Sequence, residues 1–259
     1  MTTSAAPLIL SLDSATEVRS VVIAQGERVL ASTHGRVQKE NSARVLHDID
    51  QALSLSGVKL VDIELFAVAN GPGSFTGLRS GLATIKAFAA TLNRPVVGVP
   101  TLHAIASACG TPPPQRVLAS LPAGRGEVFA QLLWVDEASM VKELSAPFHV
   151  SPAMLLEKAA NWGGDLKWAG AGAHAYAGAI SEFANNKGII WGEEVLGINE
   201  LTAEKKVGWT LAQPCESYAE GIAELGLIYY RQGSTIVAGD LAALYVRLSD
   251  AELSEKCRA

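Results

Sequence analysis

Residues 70–92 read Asn-Gly-Pro-Gly-Ser-Phe-Thr-Gly-Leu-Arg-Ser-Gly-Leu-Ala-Thr-Ile-Lys-Ala-Phe-Ala-Ala-Thr-Leu, a glycine-proline turn that runs directly into a helix-forming sequence. Such a turn can cradle a phosphate, because the free amides and the dipole of a helix N-terminus both favour an anion. Gly71 and Gly73 are the candidate nucleotide contacts. The spacing is not that of a Walker loop: no Gly-Lys-Ser/Thr follows, and the nearest lysine, Lys86, lies well inside the helix. Two other readings stand beside this one. Gly77 and Gly81 fall four apart within the helix, and each interior glycine costs about 1 kcal/mol relative to alanine, so two in register imply the close approach of another backbone. That backbone belongs either to the neighbouring strands or to a partner chain. Asp13 and Thr16, at the end of an early apolar strand, are candidate neighbours of magnesium or phosphate, and Asp-Ser-Ala-Thr is equally an ordinary polar turn.

Other chemistry lacks its residues. The five histidines, His34, His47, His103, His149 and His174, include no pair at the i, i+4 spacing that puts two imidazoles on one helix face, so metallopeptidase chemistry has no ligands. There is no Gly-x-Ser-x-Gly elbow for a hydrolase nucleophile. Gly124-Arg125-Gly126-Glu127 reads as a hairpin turn. With 21 basic against 26 acidic residues, a net charge of -5 and a pI near 5.6, the chain presents no basic face of its own to nucleic acid. Its start lacks a basic signal region and no run of 18 apolar residues follows, which points to a soluble, cytoplasmic protein with no membrane partner. The three cysteines are far apart and without metal spacing, as expected of reduced thiols.

The elements that must hold these residues form a repeating pattern. Residues 8–13, 18–24 and 28–33 predict three meandering strands, and 41–56 predict a helix with Val45, Leu46, Ile49, Ala52 and Leu53 on one face, Asn41 as cap and Gly57 as stop. A buried strand over 64–70, the helix carrying Leu78, Leu82 and Ile85, a strand over 96–99 and a helix over 101–108 follow. Three prolines in residues 111–115 predict a linker. Beyond it come strands over 116–121, 127–135 and 140–150, a helix opened by Ser151-Pro152, a strand over 166–171 and a helix over 174–183. Residues 189–213 give weak signals; 215–232 predict a helix, 241–247 a last strand, and 251–259 a frayed or partner-facing tail. The fold expected is α/β: two duplicated lobes of the actin-like, RNase H-like kind, each a mixed sheet covered by helices, over residues 1–112 and, smaller and degenerate, 113–259.

The string Asn70-Gly-Pro-Gly-Ser-Phe-Thr-Gly-Leu-Arg79, with Ile9-Leu-Ser-Leu-Asp-Ser-Ala-Thr16, resembles the TsaB (YeaZ) family, and looser likeness continues through Pro100-Thr101-Leu102, Gly126-Glu127-Val128-Phe129 and Tyr245-Val246-Arg247. The resemblance implies a subunit without a catalytic centre in the machinery that makes threonylcarbamoyladenosine beside the anticodon of tRNA. Its partners would be the catalytic paralogue TsaD, which carries the metal-binding histidines, and the ATPase TsaE; tRNA would be reached only through the complex. No cofactor is required, and ATP or ADP with magnesium would sit at or near the partner interface. Pairing is expected through the first two long helices, giving Val45, Leu46, Ile49, Leu53, Gly77, Leu78, Gly81, Leu82 and Ile85 as interface residues and allowing a homodimer when the chain is alone. Two departures from the family pattern stand out: Asn41-Ser42 where a histidine usually precedes the serine, and Pro122-Ala123-Gly124-Arg125 in place of Asp-Ala-Arg. The architecture also admits two other readings, an ATP-binding enzyme of the actin-like kinase type and an inactive glycoprotease-like protein.

Overall fold

The computed structural model describes residues 6–36, 43–109, 115–193 and 208–247. Strands β1 (Leu8–Asp13), β2 (Val18–Gln25) and β3 (Arg28–Arg36) form the expected antiparallel meander. Helix α1 (Ala43–Ser56) carries the chain across to β4 (Leu65–Gly71), which pairs parallel to β1, and α2 (Phe75–Leu92) carries it on to β5 (Val96–Pro100), parallel to β4. The five strands lie in the order β3-β2-β1-β4-β5. Both central strands are buried along nearly their whole length, which explains their unbroken apolar runs: helices cover both faces, so no position needs to alternate.

The second sheet repeats the plan. After α3 (Thr101–Ser107), β6 (Gln115–Gly124) and β7 (Glu127–Val135) form a hairpin, and β8 (Val141–Glu143) and β9 (Phe148–Val150) both pair with β7. Helix α4 (Pro152–Trp162) leads to β10 (Leu166–Ala169), parallel to β6; α5 (Ala171–Ala175) and α6 (Ala177–Asn186) lead to β11 (Ile190–Glu193) and β12 (Gly208–Leu211). Strand β12 is parallel to β10, so β7-β6-β10-β12 reproduces the first sheet's β2-β1-β4-β5, with β11 added at the edge. Two mixed sheets of one topology, covered by helices, make this the expected actin-like α/β architecture.

Three apolar clusters define the layers. One fills the outer face of the first sheet beneath α1 and α2, with Val45, Ile49, Leu82 and Ile85 against Leu10, Val21 and Phe66. A second fills the outer face of the second sheet beneath α4 and α6, around Trp168 and Trp209 with ring centroids 5.1 Å apart. The third lies between the sheets, where α3 and α7 (Ala219–Arg231) supply Leu102, Ile105, Ile222 and Leu225 to side chains of both. Helix α7 is pinned to the first sheet by buried polar bonds: Ser11 Oγ donates to the Ala219 carbonyl at 2.7 Å, and the Ala219 amide donates to Ser20 Oγ at 3.2 Å.

Several expected elements differ. The strand over 140–150 splits into β8 and β9 because residues 144–147 bulge out, with the Leu144 and Ser145 amides both donating to the Leu132 carbonyl. The helix over 174–183 breaks at Tyr176, whose φ of -117° is not helical, into α5 and α6. Residues 189–213, weak in sequence signal, hold β11 and β12 among the described residues. Residues 241–247 are not a strand; they run as irregular chain past the glycine turn, tied by the Leu244 amide to the Asn70 carbonyl at 2.7 Å. The Asn41 cap, most of the proline linker and the 251–259 tail lie outside the described residues.

Candidate partner interface beside the glycine turn

Asp13 closes β1 with a turn that consumes its own carboxylate. One oxygen accepts from the Ala15 amide at 2.8 Å and the Thr16 amide at 3.3 Å, and the other accepts from the Thr16 hydroxyl at 2.5 Å. The residue has no exposed surface, and burial raises its carboxyl from 3.8 to about 6 against the lowering effect of those three hydrogen bonds. Asp13 and Thr16 are therefore brought together, as a self-contained turn with nothing presented outward.

The glycine turn is packed against that turn. Ser74 caps α2, its hydroxyl accepting from the Gly77 amide at 3.3 Å, and its own amide donates to the Ala15 carbonyl at 2.7 Å. A side chain at Gly73 would strike the Ala15 carbonyl, one at Gly77 the Ser14 carbonyl, and one at Gly81 the Ser14 hydroxyl. Gly71, at φ +118°, leaves room for the Leu244 carbonyl. The chain's own atoms, backbone at Gly71, Gly73 and Gly77 and the Ser14 side chain at Gly81, thus occupy the space at all four glycines, and this corrects two expectations. Gly71 and Gly73 are not an open cradle, and together with the inward-turned Asp13 and Thr16 they do not fit a phosphate or magnesium ion. Gly77 and Gly81 face the β1 turn rather than a partner helix.

The remaining interface residues divide by burial. Val45, Ile49, Leu78, Leu82 and Ile85 pack into the chain's own cores, and Leu53 is half-buried; Leu46 alone is exposed, at 52%. The periodicity that singled them out marked the inward face of each helix, because an apolar stripe faces whatever buries it first. Leu46 and Leu55, nine residues apart, flank the buried stripe of α1 on opposite sides, while Ala83, Ala87 and Ala90 line the exposed face of α2 at helical spacing. Helices α1 and α2 pack against one another.

Among the described residues no three His, Cys, Asp or Glu side chains converge as a metal site would require. His34 and His47 are exposed, while His103 links α3 to two other elements, 3.3 Å from the Tyr229 hydroxyl and 3.1 Å from Glu143. Burial lowers the His103 imidazole's affinity for protons despite the neighbouring Glu143 carboxylate. Residues 124–127 form the hairpin turn between β6 and β7, as their glycines suggested, and Glu127 at its end pairs with Arg247 at 3.5 Å.

A family model described as TsaD, tRNA N6-adenosine threonylcarbamoyltransferase, matches residues 28–217. The Escherichia coli tRNA threonylcarbamoyladenosine biosynthesis protein TsaB is 31% identical over 169 residues, spanning 65% of this chain and 73% of that protein. The chain belongs to the TsaB (YeaZ) family. The TsaB protein of Haemophilus influenzae is 26% identical over 242 residues, covering 92% of this chain and 93% of that one. The solved YeaZ structure from Pseudomonas aeruginosa superimposes with a TM-score of 0.69 over 92% of this chain and 99% of that one at 20% identity, a likeness of fold. TsaB relatives therefore span both sheets and the crossing helix α7, as well as the motif-bearing first half. No helix of the described residues is long and apolar enough to cross a membrane.

Proposed function

We propose that this chain is a noncatalytic scaffold subunit of the machinery that makes threonylcarbamoyladenosine in tRNA, pairing with the larger transferase TsaD and raising its activity. One observation carries the reading: residues 28–217 match the transferase family, yet the chain contains no His-x-x-x-His pair of the kind the resemblance assigns to the catalytic paralogue. A transferase fold stripped of its metal ligands is suited to holding another chain. The contact surface we assign is the exposed face of α2, with Ala83, Ala87 and Ala90, where small side chains admit a close helix, together with the adjoining flank of α1. The ATPase TsaE is the second partner in this scheme, a homodimer through the same side is the state of the chain alone, and the cytoplasm is its compartment. Any nucleotide belongs at the partner interface rather than at Asp13, whose oxygens are already used.

The test is reconstitution. The chain and its cognate TsaD are expected to co-elute in size-exclusion chromatography, and threonylcarbamoyladenosine formation is expected to rise when the chain is added. Separate elution with no gain in product would overturn the reading. Heat on titrating the isolated chain with ATP and magnesium would instead favour the actin-like kinase reading.

A further inference from the structure

Phe75 and Arg79, one turn apart on α2, stand outside the packed glycine face. Phe75 is 41% exposed and Tyr245 50%, with ring centroids 5.9 Å apart and planes inclined by 38°. The Arg79 guanidinium lies over the Phe75 ring, 3.8 Å from its centroid, and makes no ion pair among the described residues. Two partly exposed, mutually tilted rings and a guanidinium thus lie together at the head of an 18-residue helix whose first turn has no acidic residue. Arg247, two residues past Tyr245, is nearby in the chain and reaches Glu127 of the β6–β7 hairpin. Arg79 adds one cation beside two rings on an otherwise acidic protein.

Burial does not explain it. Rings left 41% and 50% exposed bury only part of their surface, and a guanidinium over a ring can keep N–H donors available for acceptors beside the ring. An aromatic surface edged by such donors matches one ligand chemistry well: an unpaired nucleobase stacking on the rings or on the guanidinium plane, with its phosphate taken by arginine. A helical duplex would not suit it, because stacked bases offer no free face.

We propose that Phe75, Arg79 and Tyr245 form a stacking platform for an unpaired base of the RNA substrate, with Arg79 contacting the adjacent phosphate. The proposal rests on the tRNA reading above and adds to it a direct contact from this subunit. It also accounts for an acidic chain serving an RNA reaction: the contact is local, while most of the charge that attracts RNA comes from the partner.

The test uses the full chain, alone and assembled with its cognate transferase, titrated with a fluorescent unmodified tRNA transcript across a series of salt concentrations. The variants are Phe75→Leu and Tyr245→Leu, which keep apolar bulk and lose the ring, and Arg79→Gln, which keeps length and loses charge. Each is expected to co-elute with the transferase as the parent does and to bind tRNA about tenfold more weakly. Arg79→Gln is also expected to flatten the salt dependence by about 0.7 in the slope of log K against log salt, the share of one single-strand phosphate. Photocrosslinking of 4-thiouridine tRNA is expected to mark peptides holding Phe75 or Tyr245. Binding within twofold of the parent, with no crosslink there, overturns the platform. Loss of the transferase instead of tRNA overturns it too and assigns the face to protein contact, while displacement of tRNA by millimolar ATP alone assigns it to free nucleotide. Failure of the parent to co-elute with the transferase strikes the scaffold reading; the titration and crosslink on the chain alone then decide the platform.

Discussion

Burial of Asp13 couples the protonation of its carboxyl to folding. Its carboxyl titrates near 6 in the folded chain against 3.8 as the ordinary value, so between those limits the native state binds a proton that the unfolded state has released. Stability is therefore greatest below that window, falls as pH rises through it, and above pH 6 is lower by about 3 kcal/mol on this account, an order-of-magnitude figure. Asp13→Asn removes the charge while keeping the bonds: the carboxamide oxygen still accepts from Ala15, and its NH2 can donate to the Thr16 hydroxyl, which is left to donate to the Val18 carbonyl. Urea denaturation at pH 7.5 is expected to show Asp13→Asn more stable than the parent by about 1 to 3 kcal/mol, with a flatter profile between pH 4 and 6. A less stable Asn variant at pH 7.5 would reverse the account. The glycines make a second residue-scale case. Alanine is the better helix former by about 1 kcal/mol. Yet at Gly77 its methyl meets the Ser14 backbone carbonyl, which cannot move aside, whereas at Gly81 it meets a hydroxyl that can rotate. Gly77→Ala is expected to lower the unfolding free energy by about 2 kcal/mol or more, and Gly81→Ala by less. Equal costs, read from urea midpoints, would contradict this placement of the helix over the β1 turn.

At the scale of elements, α1 and α2 were legible in sequence and their orientation was not. Apolar spacing located both helices and picked out Val45, Ile49, Leu82 and Ile85, but those residues are the ones their own sheet buries. The exposed side built from Ala83, Ala87 and Ala90 has no strong apolar signal, because alanine reads as indifferent filler in a helix. The same limit explains β11 and β12, four residues each, too short for a recognisable period. It also explains residues 241–247, whose strand-like composition serves to pack irregular chain against Gly71 and Gly98. The meander, the parallel strands and the hairpin at 124–127 were legible because their turns and apolar runs are local. The Asp13 turn was recognised as polar, but its full burial depends on α2 arriving from sixty residues away. If the outward side is the contact surface, Ala83→Arg and Ala87→Arg should leave thermal stability within about 1 kcal/mol of the parent, as exposed helix substitutions do. Association with TsaD should weaken by at least tenfold, since a long charged side chain cannot enter a close helix contact. Calorimetric affinities unchanged by both substitutions would move the interface elsewhere.

For the whole molecule, the question is whether two sheets of one topology unfold as two units or one. Helices α3 and α7 lie in the cluster between the sheets and contribute to both, and α7 returns to the first sheet only after the second has been completed. Helix α7 packs on the first sheet and α3 mainly on the second, and the two helices pack on each other, so the inner faces are joined through the α3–α7 contact. All five tryptophans, at 134, 162, 168, 191 and 209, lie in the second half, so their fluorescence reports that half alone. Ile85, fully buried on the far side of the first sheet, touches none of the second sheet's core. Ile85→Ala removes buried methylenes and leaves a cavity, at a cost of about 2 to 5 kcal/mol. For a chain of this length that cost corresponds to a fall of roughly 5–15 °C in melting temperature. Because the inner cluster is shared, the tryptophan transition is expected to fall by the same amount as the far-ultraviolet dichroism transition and to stay coincident with it. If the second half were an independent unit, the fluorescence midpoint would hold still while the dichroism split into two steps. The coincidence of the two melting curves in Ile85→Ala therefore decides whether α7 makes the two sheets one cooperative body.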